Sequence, residues 1–305
     1  MSRSKKVIII VAAVVAVIAV AAAVSAVYLT TPADLGTVEV SDVPEKADGT
    51  TRVISFNLRC ASDENESIKD RSALITAILN EYAPDSFGVQ EATPRWLKIL
   101  DKALGDKYAR VGQARDRFGL FTEYSCVYYR TDKYNLIDSG TIWLSETPEK
   151  KYTGSFDTAC KRVATWAVLE DKETGVKYTH LNTHLDHVLE STRVGQAGVL
   201  LEKLAELQKE TKTVVCTGDF NADKTSEVYA KMLEATDDTR LTAKETDDGI
   251  TYHDYGEVKE TENGAIDFIF VTKDTEVERY KIIDNIINGM YPSDHYAICS
   301  DIYIK

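Results

Sequence analysis

Polar residues that can bind a metal or move a proton recur in this chain where apolar, strand-like runs end. Asn57 closes "VISFN", Glu91 follows "GVQ", and "LNTHLDH" carries Asn182, His184 and His187. Asp219 and Asn221 end "TVVCTGDFN", Asp267 interrupts "AIDFIF", and Asp294 and His295 stand immediately before the closing run "HYAICSDIYI". Carboxylate and amide oxygens suit a hard divalent cation. Histidines and amides supply donors for the negative charge that develops when a phosphate ester is cleaved. Residues two apart on a strand share a face, so Asp219 and Asn221 point one way and Phe220 the other. A turn accounts for Gly218 and Asn221 but gives no reason for an Asp-apolar-Asn pair. An unpaired carboxylate at Asp267 is costly within an apolar run. A single such residue is usually a cap or a satisfied core group; their recurrence predicts convergence on one site.

The elements that must position them alternate between short β-rich runs and amphipathic helices. Strands are predicted at 52–58, 85–92, 125–130, 135–144, 162–171, 176–187, 265–272 and 295–304, and over "TVVCTGDF". Helices are predicted over 67–82, from Pro94 through Leu104, over 192–210 and near Ser226–Leu233; the first puts Ile68, Leu74, Ile75, Ile78 and Leu79 on one stripe. Many strands with helices between them, but without regular βαβ alternation, suggest two packed sheets with helices outside.

The first thirty residues differ in kind. A basic head, "MSRSKK", precedes the uncharged run 7–29, which lacks Gly and Pro. At about 1.5 Å per residue this run reaches roughly 35 Å, enough for a bilayer core of about 30 Å. Lys5 and Lys6 before it predict a cytoplasmic N-terminus and an exported body. Residues 1–30 are therefore expected to be a membrane anchor or signal segment. The result is a single-pass protein with an extracellular catalytic domain, or a secreted one if cleavage occurs near Val24-Ser25-Ala26. Residues 31–50 read as a linker and 51–305 as the folded domain.

The net charge is −13, and three of the cations lie in the first six residues. Such a body repels polyanions at long range, so tight nonspecific nucleic-acid binding is not expected. Five cysteines without CxxC spacing indicate neither a zinc site nor a disulfide framework. Cys60 and Cys160 flank polar loops, and a bridge between them is one option. No basic stripe with interleaved aromatics and no obvious exposed apolar hairpin for lipid insertion is evident.

In order, "FN…QE…E…NTHLDH…GDFN…IDFIF…SDH" resembles the endonuclease/exonuclease/phosphatase superfamily of deoxyribonuclease I-like enzymes, from about residue 52 to 303. "WLSETPE", "KRVATWAVL", "THLDHVLESTRVGQ" and "ITYHDYG" look like its bacterial metal-dependent hydrolase branch. The resemblance implies an α/β four-layer sandwich of two packed mixed β-sheets flanked by helices. It also implies Mg²⁺- or Mn²⁺-dependent hydrolysis of a phosphate ester by in-line water. By position, Glu91 matches the principal metal ligand, with Asn57 beside it. Asp219 matches the residue that orients or deprotonates the water, and Asn221 the one that holds phosphate or nucleophile. His295 matches the histidine on the scissile phosphate, with Asp294 as its partner or a metal contact. His184 matches the second phosphate histidine, and Glu123 the acid that orients it. Asp267 would hold its neighbours in place or touch metal.

Arg162, Arg193 and His253 are candidate substrate contacts, each with a structural alternative; His187 reads as a structural hydrogen-bonder. The expected activity is a phosphodiesterase acting as a monomer. A sphingomyelinase-like lipid phosphodiesterase or a small-molecule phosphatase is the alternative, and a non-catalytic binding module is the least favoured. A serine or cysteine hydrolase lacks its nucleophile motif.

Overall fold

Valine, isoleucine and aromatic residues fill the strand runs, and their β-branched or planar side chains fit a pleated, buried surface. The computed structural model describes residues 31–61, 67–119, 121–259 and 264–305, together with Val15, Ile18 and Ala19. Its strands are β1 (Thr51–Asn57), β2 (Ser86–Ala92), β3 (Tyr108–Val111), β4 (Tyr124–Arg130), β5 (Tyr134–Trp143), β6 (Val163–Asp171) and β7 (Lys177–His184). They continue with β8 (Thr213–Asp219), β9 (Thr236–Asp238), β10 (Glu245–Thr246), β11 (Asp267–Thr272), β12 (Val277–Ile283) and β13 (Ala297–Ile302). Helices α1 (Ile68–Tyr82), α2 (Pro94–Leu104), α3 (Glu190–Leu207), α4 (Glu227–Ala235) and α5 (Thr239–Thr242) flank them.

Two mixed sheets result. One runs β10-β12-β13-β1-β2-β4-β3, and the other β5-β6-β7-β8-β11-β9. This is the expected deoxyribonuclease I-like sandwich. The first sheet is parallel at its edge pair, β10 with β12, and each sheet is parallel at a central pair, β1 with β2 and β7 with β8. The carboxyl ends of those four strands therefore share one edge of the sandwich, and the antiparallel neighbours β11 and β13 begin there. α1 starts at Ser67, whose side chain accepts from the Asp70 amide, and α2 starts at Thr93 with Pro94 behind it. These helices cover the outer face of the first sheet through Leu74, Ile78, Trp96 and Leu100.

Between the sheets the apolar core is crossed by a polar seam. Ser86 Oγ lies 2.7 Å from His180 Nδ1, and Thr217 Oγ1 lies 2.9 Å from Nε2 of the same ring. Gln90 Nε2 donates to Asn182 Oδ1 at 2.7 Å, and Asn182 Nδ2 donates to the carbonyls of Val89 and Cys126 at 2.9 Å. Burial pushes the His180 imidazole down to about 3, so it is neutral and both nitrogens find partners. At Gly88 the sheets come so close that a Cβ would lie 2.3 Å from Thr217 Oγ1 and 2.4 Å from Asn182 Oδ1. Only glycine fits there.

One expectation changes. Among the described residues no helix is long and apolar enough to cross a membrane, so the single-pass placement with an extracellular domain is not retained. The run 7–29 that suggested it lies outside the described residues, apart from Val15, Ile18 and Ala19. Residues 31–50, expected to be a linker, contain no helix or strand, and Leu35, Val38, Val40 and Val43 pack against the core. Lys46 from the same segment reaches Asp85 at 2.7 Å.

Candidate active site

The strand ends named above meet around a cleft of about 480 Å³, lined by Glu91, His184, Asp219, Asn221, Asp294 and His295 among others. β8 explains the "GDFN" motif. Phe220 is buried edge-on against Phe268 and Phe270, which fixes the strand end. Asp219 Oδ1 accepts from the Asn221 amide at 2.9 Å, closing a turn in which Asn221 takes φ of 48°. The same carboxylate uses Oδ2 for the site: Asn57 Nδ2 donates to it at 2.9 Å, His184 Nε2 is at 3.4 Å and His295 Nε2 at 3.9 Å. Turn and site are therefore made by one residue, with one oxygen each.

Asp267 sits opposite Asp219 across the β8–β11 ladder, and His184 opposite it across β7–β8. Asp267 Oδ2 lies 2.8 Å from His295 Nδ1. Burial disfavours the imidazolium, but Asp267, with Asp219 and Asp294, outweighs it and pushes His295 up to about 10. Burial and the neighbouring charge of Asp267 raise Asp219 above the ordinary carboxylate range. The partner of His295 is thus Asp267 and not Asp294.

Glu91 reaches the cleft because β2 is bulged. Its register with β4 shifts between Val89 and Ala92, and Glu91 adopts φ of 56°. Bulges re-aim side chains, and a left-handed non-glycine residue stores strain of about 1–3 kcal/mol. Glu91 Oε2 accepts from the Cys60 amide at 2.8 Å, and Oε1 from Asn57 Nδ2 at 3.2 Å. Against burial, these bonds hold it below its usual value, as an anion. Asp294 is raised by burial and by repulsion from Glu91, although His295 and Arg59 oppose. Two ionisable carboxyls crowding one cleft are what a divalent cation relieves, and their hard oxygens fit Mg²⁺ or Mn²⁺. Asn57 fits less well as a ligand, because its Oδ1 accepts from the Arg59 amide at 3.0 Å and its amino group spans Glu91 and Asp219. Asp219, Asp267 and His295 also offer ligand atoms within 4.8 Å of one another and could hold an ion. In that trio, however, His295 is already paired as a cation with Asp267.

His184 accepts at Nε2 from Asn221 Nδ2 at 3.0 Å, which places its proton on Nδ1. Burial, then Arg162 and Arg115, push this ring well below the usual histidine value, so it is neutral. Its buried Nδ1 has no partner among the described residues, leaving a donor free. Glu123 does not orient it. That acid instead pairs with Arg115 Nη1 at 2.7 Å, and the two line the cleft together.

Of the three candidate substrate contacts, the structure brings only Arg162 into the cleft. Arg162 is 4 % exposed, with Nη2 3.2 Å from His187 Nδ1 and a buried, unpartnered Nε. No carboxylate lies within ion-pair distance of it among the described residues. Arg193 donates to the Asp186 carbonyl at 3.2 Å and holds the loop. His253 is buried between Tyr291 and Tyr296, 4.8 and 4.0 Å away, outside the cleft lining; its amide donates to the Asp294 carbonyl at 2.9 Å. Arg115 and Tyr252 are cleft residues that the sequence pattern did not single out, since neither lies at the end of an apolar run. Cys60 and Cys160 both line the cleft as free thiols, not as a bridge.

The family model for "Endonuclease/Exonuclease/phosphatase family" matches residues 54–295. The chain belongs to this family. It is a hydrolase of phosphoric esters, the activity its family shares. A Bacteroides vulgatus endonuclease/exonuclease/phosphatase is 31% identical over 84% of this chain and 99% of its own, with a TM-score of 0.77. A Bacteroides thetaiotaomicron mannosyl-6-phosphatase is 29% identical over 83% of this chain and 99% of its own, with a TM-score of 0.76. The human nocturnin catalytic domain, 20% identical over 84% and 94% of the two chains with a TM-score of 0.67, shares the fold. No curated protein sequence matches.

Proposed function

We infer that this enzyme is a divalent-cation-dependent phosphomonoesterase acting on a small phosphorylated molecule of sugar size. The observation that carries this reading is Arg162, a buried guanidinium with no carboxylate within ion-pair distance among the described residues, lining the same cleft as the imidazolium of His295. A monoester dianion has one more negative charge to satisfy than a diester, and these cations are placed to meet it. The cleft volume of about 480 Å³ falls in the range of small-molecule sites. The acidic chain disfavours a polyanionic diester, and the mannosyl-6-phosphatase neighbour acts on a phosphosugar. These points favour the small-molecule phosphatase over the phosphodiesterase first expected from the sequence.

Glu91 and Asp294 would hold the cation, which when bound neutralises phosphoryl oxygens. Asp219, as the carboxylate, orients the attacking water and accepts its proton. The free Nδ1–H of His184 and the guanidinium of Arg162 bind phosphoryl oxygens. His295, held in place by Asp267, donates toward charge developing in the transition state.

A steady-state comparison of mannose 6-phosphate with bis-p-nitrophenyl phosphate tests the reading, using Mg²⁺ or Mn²⁺ and an EDTA control. Monoester turnover should dominate and vanish with EDTA. Arg162→Met should raise KM for the monoester about tenfold, as expected for loss of a charged hydrogen bond of roughly 1.5–3 kcal/mol. Preferred turnover of the diester, or an unchanged KM in the variant, would sink the monoester assignment.

A further inference from the structure

The most exposed phenylalanines sit beside the cleft. Five of the eight phenylalanines are buried, whereas Phe118 and Phe121 are 81 % and 86 % exposed. They occupy one loop, closed at its base by the Arg115 amide donating to the Glu123 carbonyl at 3.0 Å and by the Ala114–Tyr124 bridge. Both base residues, Arg115 and Glu123, line the cleft, so the loop rises directly from its wall. Phe118 and Phe121 are thus exposed apolar groups at the cleft wall that the sequence did not reveal.

A second loop carries two more exposed apolar residues, Val188 and Leu189, immediately after the cleft residue His187. Segment 160–162 ties the two loops together: Lys161 Nζ lies 2.8 Å from Asp116 Oδ1, and Arg162 Nη2 lies 3.2 Å from His187 Nδ1. The apolar groups thus share one rim of the phosphate site. None of the four lines the cleft itself, so they lie beyond the first unit of a bound substrate.

We propose that Phe118 and Phe121, with Val188 and Leu189, form a platform for sugar rings beyond the phosphorylated unit. The substrate class is then a phosphorylated oligosaccharide. This rests on the phosphomonoester reading of the adjoining cleft. A pyranose ring has an apolar C–H face edged by hydroxyls, which matches aromatic faces bordered by hydrogen-bonding groups. Here the bordering groups are Asp116, Arg117 and Lys161, and the Arg117 guanidinium stands 5.2 Å from the Phe118 ring centroid, steadying it. The loop's charges balance, with Arg115 and Arg117 against Asp116 and Glu123, which favours a neutral occupant. A nucleic-acid strand meets the repulsion of the acidic chain, and an anionic lipid surface finds no net positive charge on the loop.

The full chain and its Phe118→Ser/Phe121→Ser variant are assayed on mannose 6-phosphate and on a trisaccharide ending in mannose 6-phosphate. Wild type should favour the trisaccharide in kcat/KM. The variant should lose about tenfold on it, mainly in KM, the order expected for uncovering buried aromatic surface, and less than twofold on the monosaccharide. Saturation-transfer NMR with the unphosphorylated trisaccharide, which needs no turnover, should show contact in wild type and none in the variant. Absence of phosphosugar turnover with saturation transfer intact would count against the monoester reading alone and support the platform. Equal kcat/KM on both substrates, no saturation transfer in wild type, or phosphatidylcholine-vesicle binding that the variant abolishes would overturn the platform.

Discussion

At the end of the sandwich where β1 and β2 begin, Asp85 is fully buried yet accepts from Lys46 at 2.7 Å, Lys133 at 3.0 Å and the Arg52 amide at 2.7 Å. Beside it, Asp301 takes Arg52 at 2.7 Å and 2.8 Å and Arg279 at 3.1 Å. At the opposite end, where the same strands finish, Glu91, Asp219, Asp267 and Asp294 gather around the cleft with His295, and Arg59 stands 3.5 Å from Asp294. The far end neutralises each carboxylate locally. The cleft end buries its carboxyls with like charges facing each other, and burial first, then repulsion from Asp267 and Glu91, raises Asp219 and Asp294. One fold therefore pairs its buried charges at one edge and crowds them into a cleft at the other.

Asp219→Asn should lower kcat about 10²- to 10⁴-fold, the scale of a lost general base. Its melting temperature should hold or rise, because a repelling charge is gone; a clear fall would mean this carboxylate fastens the fold as Asp85 does. Asp301→Leu should do the reverse. It strands buried guanidinium charge and should cost about 3–5 kcal/mol in chemical denaturation, with kcat per folded molecule within about twofold of wild type. The pH profile separates the two ends again. Activity should fall on the acid side as Asp219 protonates, at a pH above the ordinary carboxylate range, and on the alkaline side near 10 as His295 loses its proton. The stability that His295 gains from Asp267 is complete below 6.5, its ordinary value, and disappears as pH rises through about 10. An alkaline limb near 6.5 would show that Asp267 does not hold the imidazolium. The smallest effect belongs to Lys46→Met at the fastened end: about 1 kcal/mol or less, because Lys46 is a third exposed and Asp85 keeps its other partners.

The convergence of the candidate site was legible in the sequence because its residues lie where apolar runs stop, as Asn57, Glu91, Asp219 and His295 do. Their wiring was not. The partner of His295 is Asp267, chosen by the antiparallel β8–β11 register, which no local pattern encodes. Glu123 went to Arg115 for the same kind of reason, a loop closed by the Arg115–Glu123 backbone bond and the Ala114–Tyr124 bridge. In the fold, β12 escaped notice because V-E-R-Y-K-I-I alternates too weakly to declare a strand without its neighbour β13. The short strands β9 and β10 exist only through pairing. His253 looked like a pocket residue from its loop-like surroundings, yet two tyrosines enclose it.

Gly88 has a consequence for the cleft that a substrate meets. With no space for even a methyl group between the sheets there, and the seam from Ser86 to Asn182 bonded across the gap, the two walls of the cleft cannot spread. Glu91 stands on one wall and Asp219 on the other, so the gauge between them is set before any substrate arrives. The spacing that a phosphate ester meets there is therefore a property of the packed sheets, expected to be the same before and after binding.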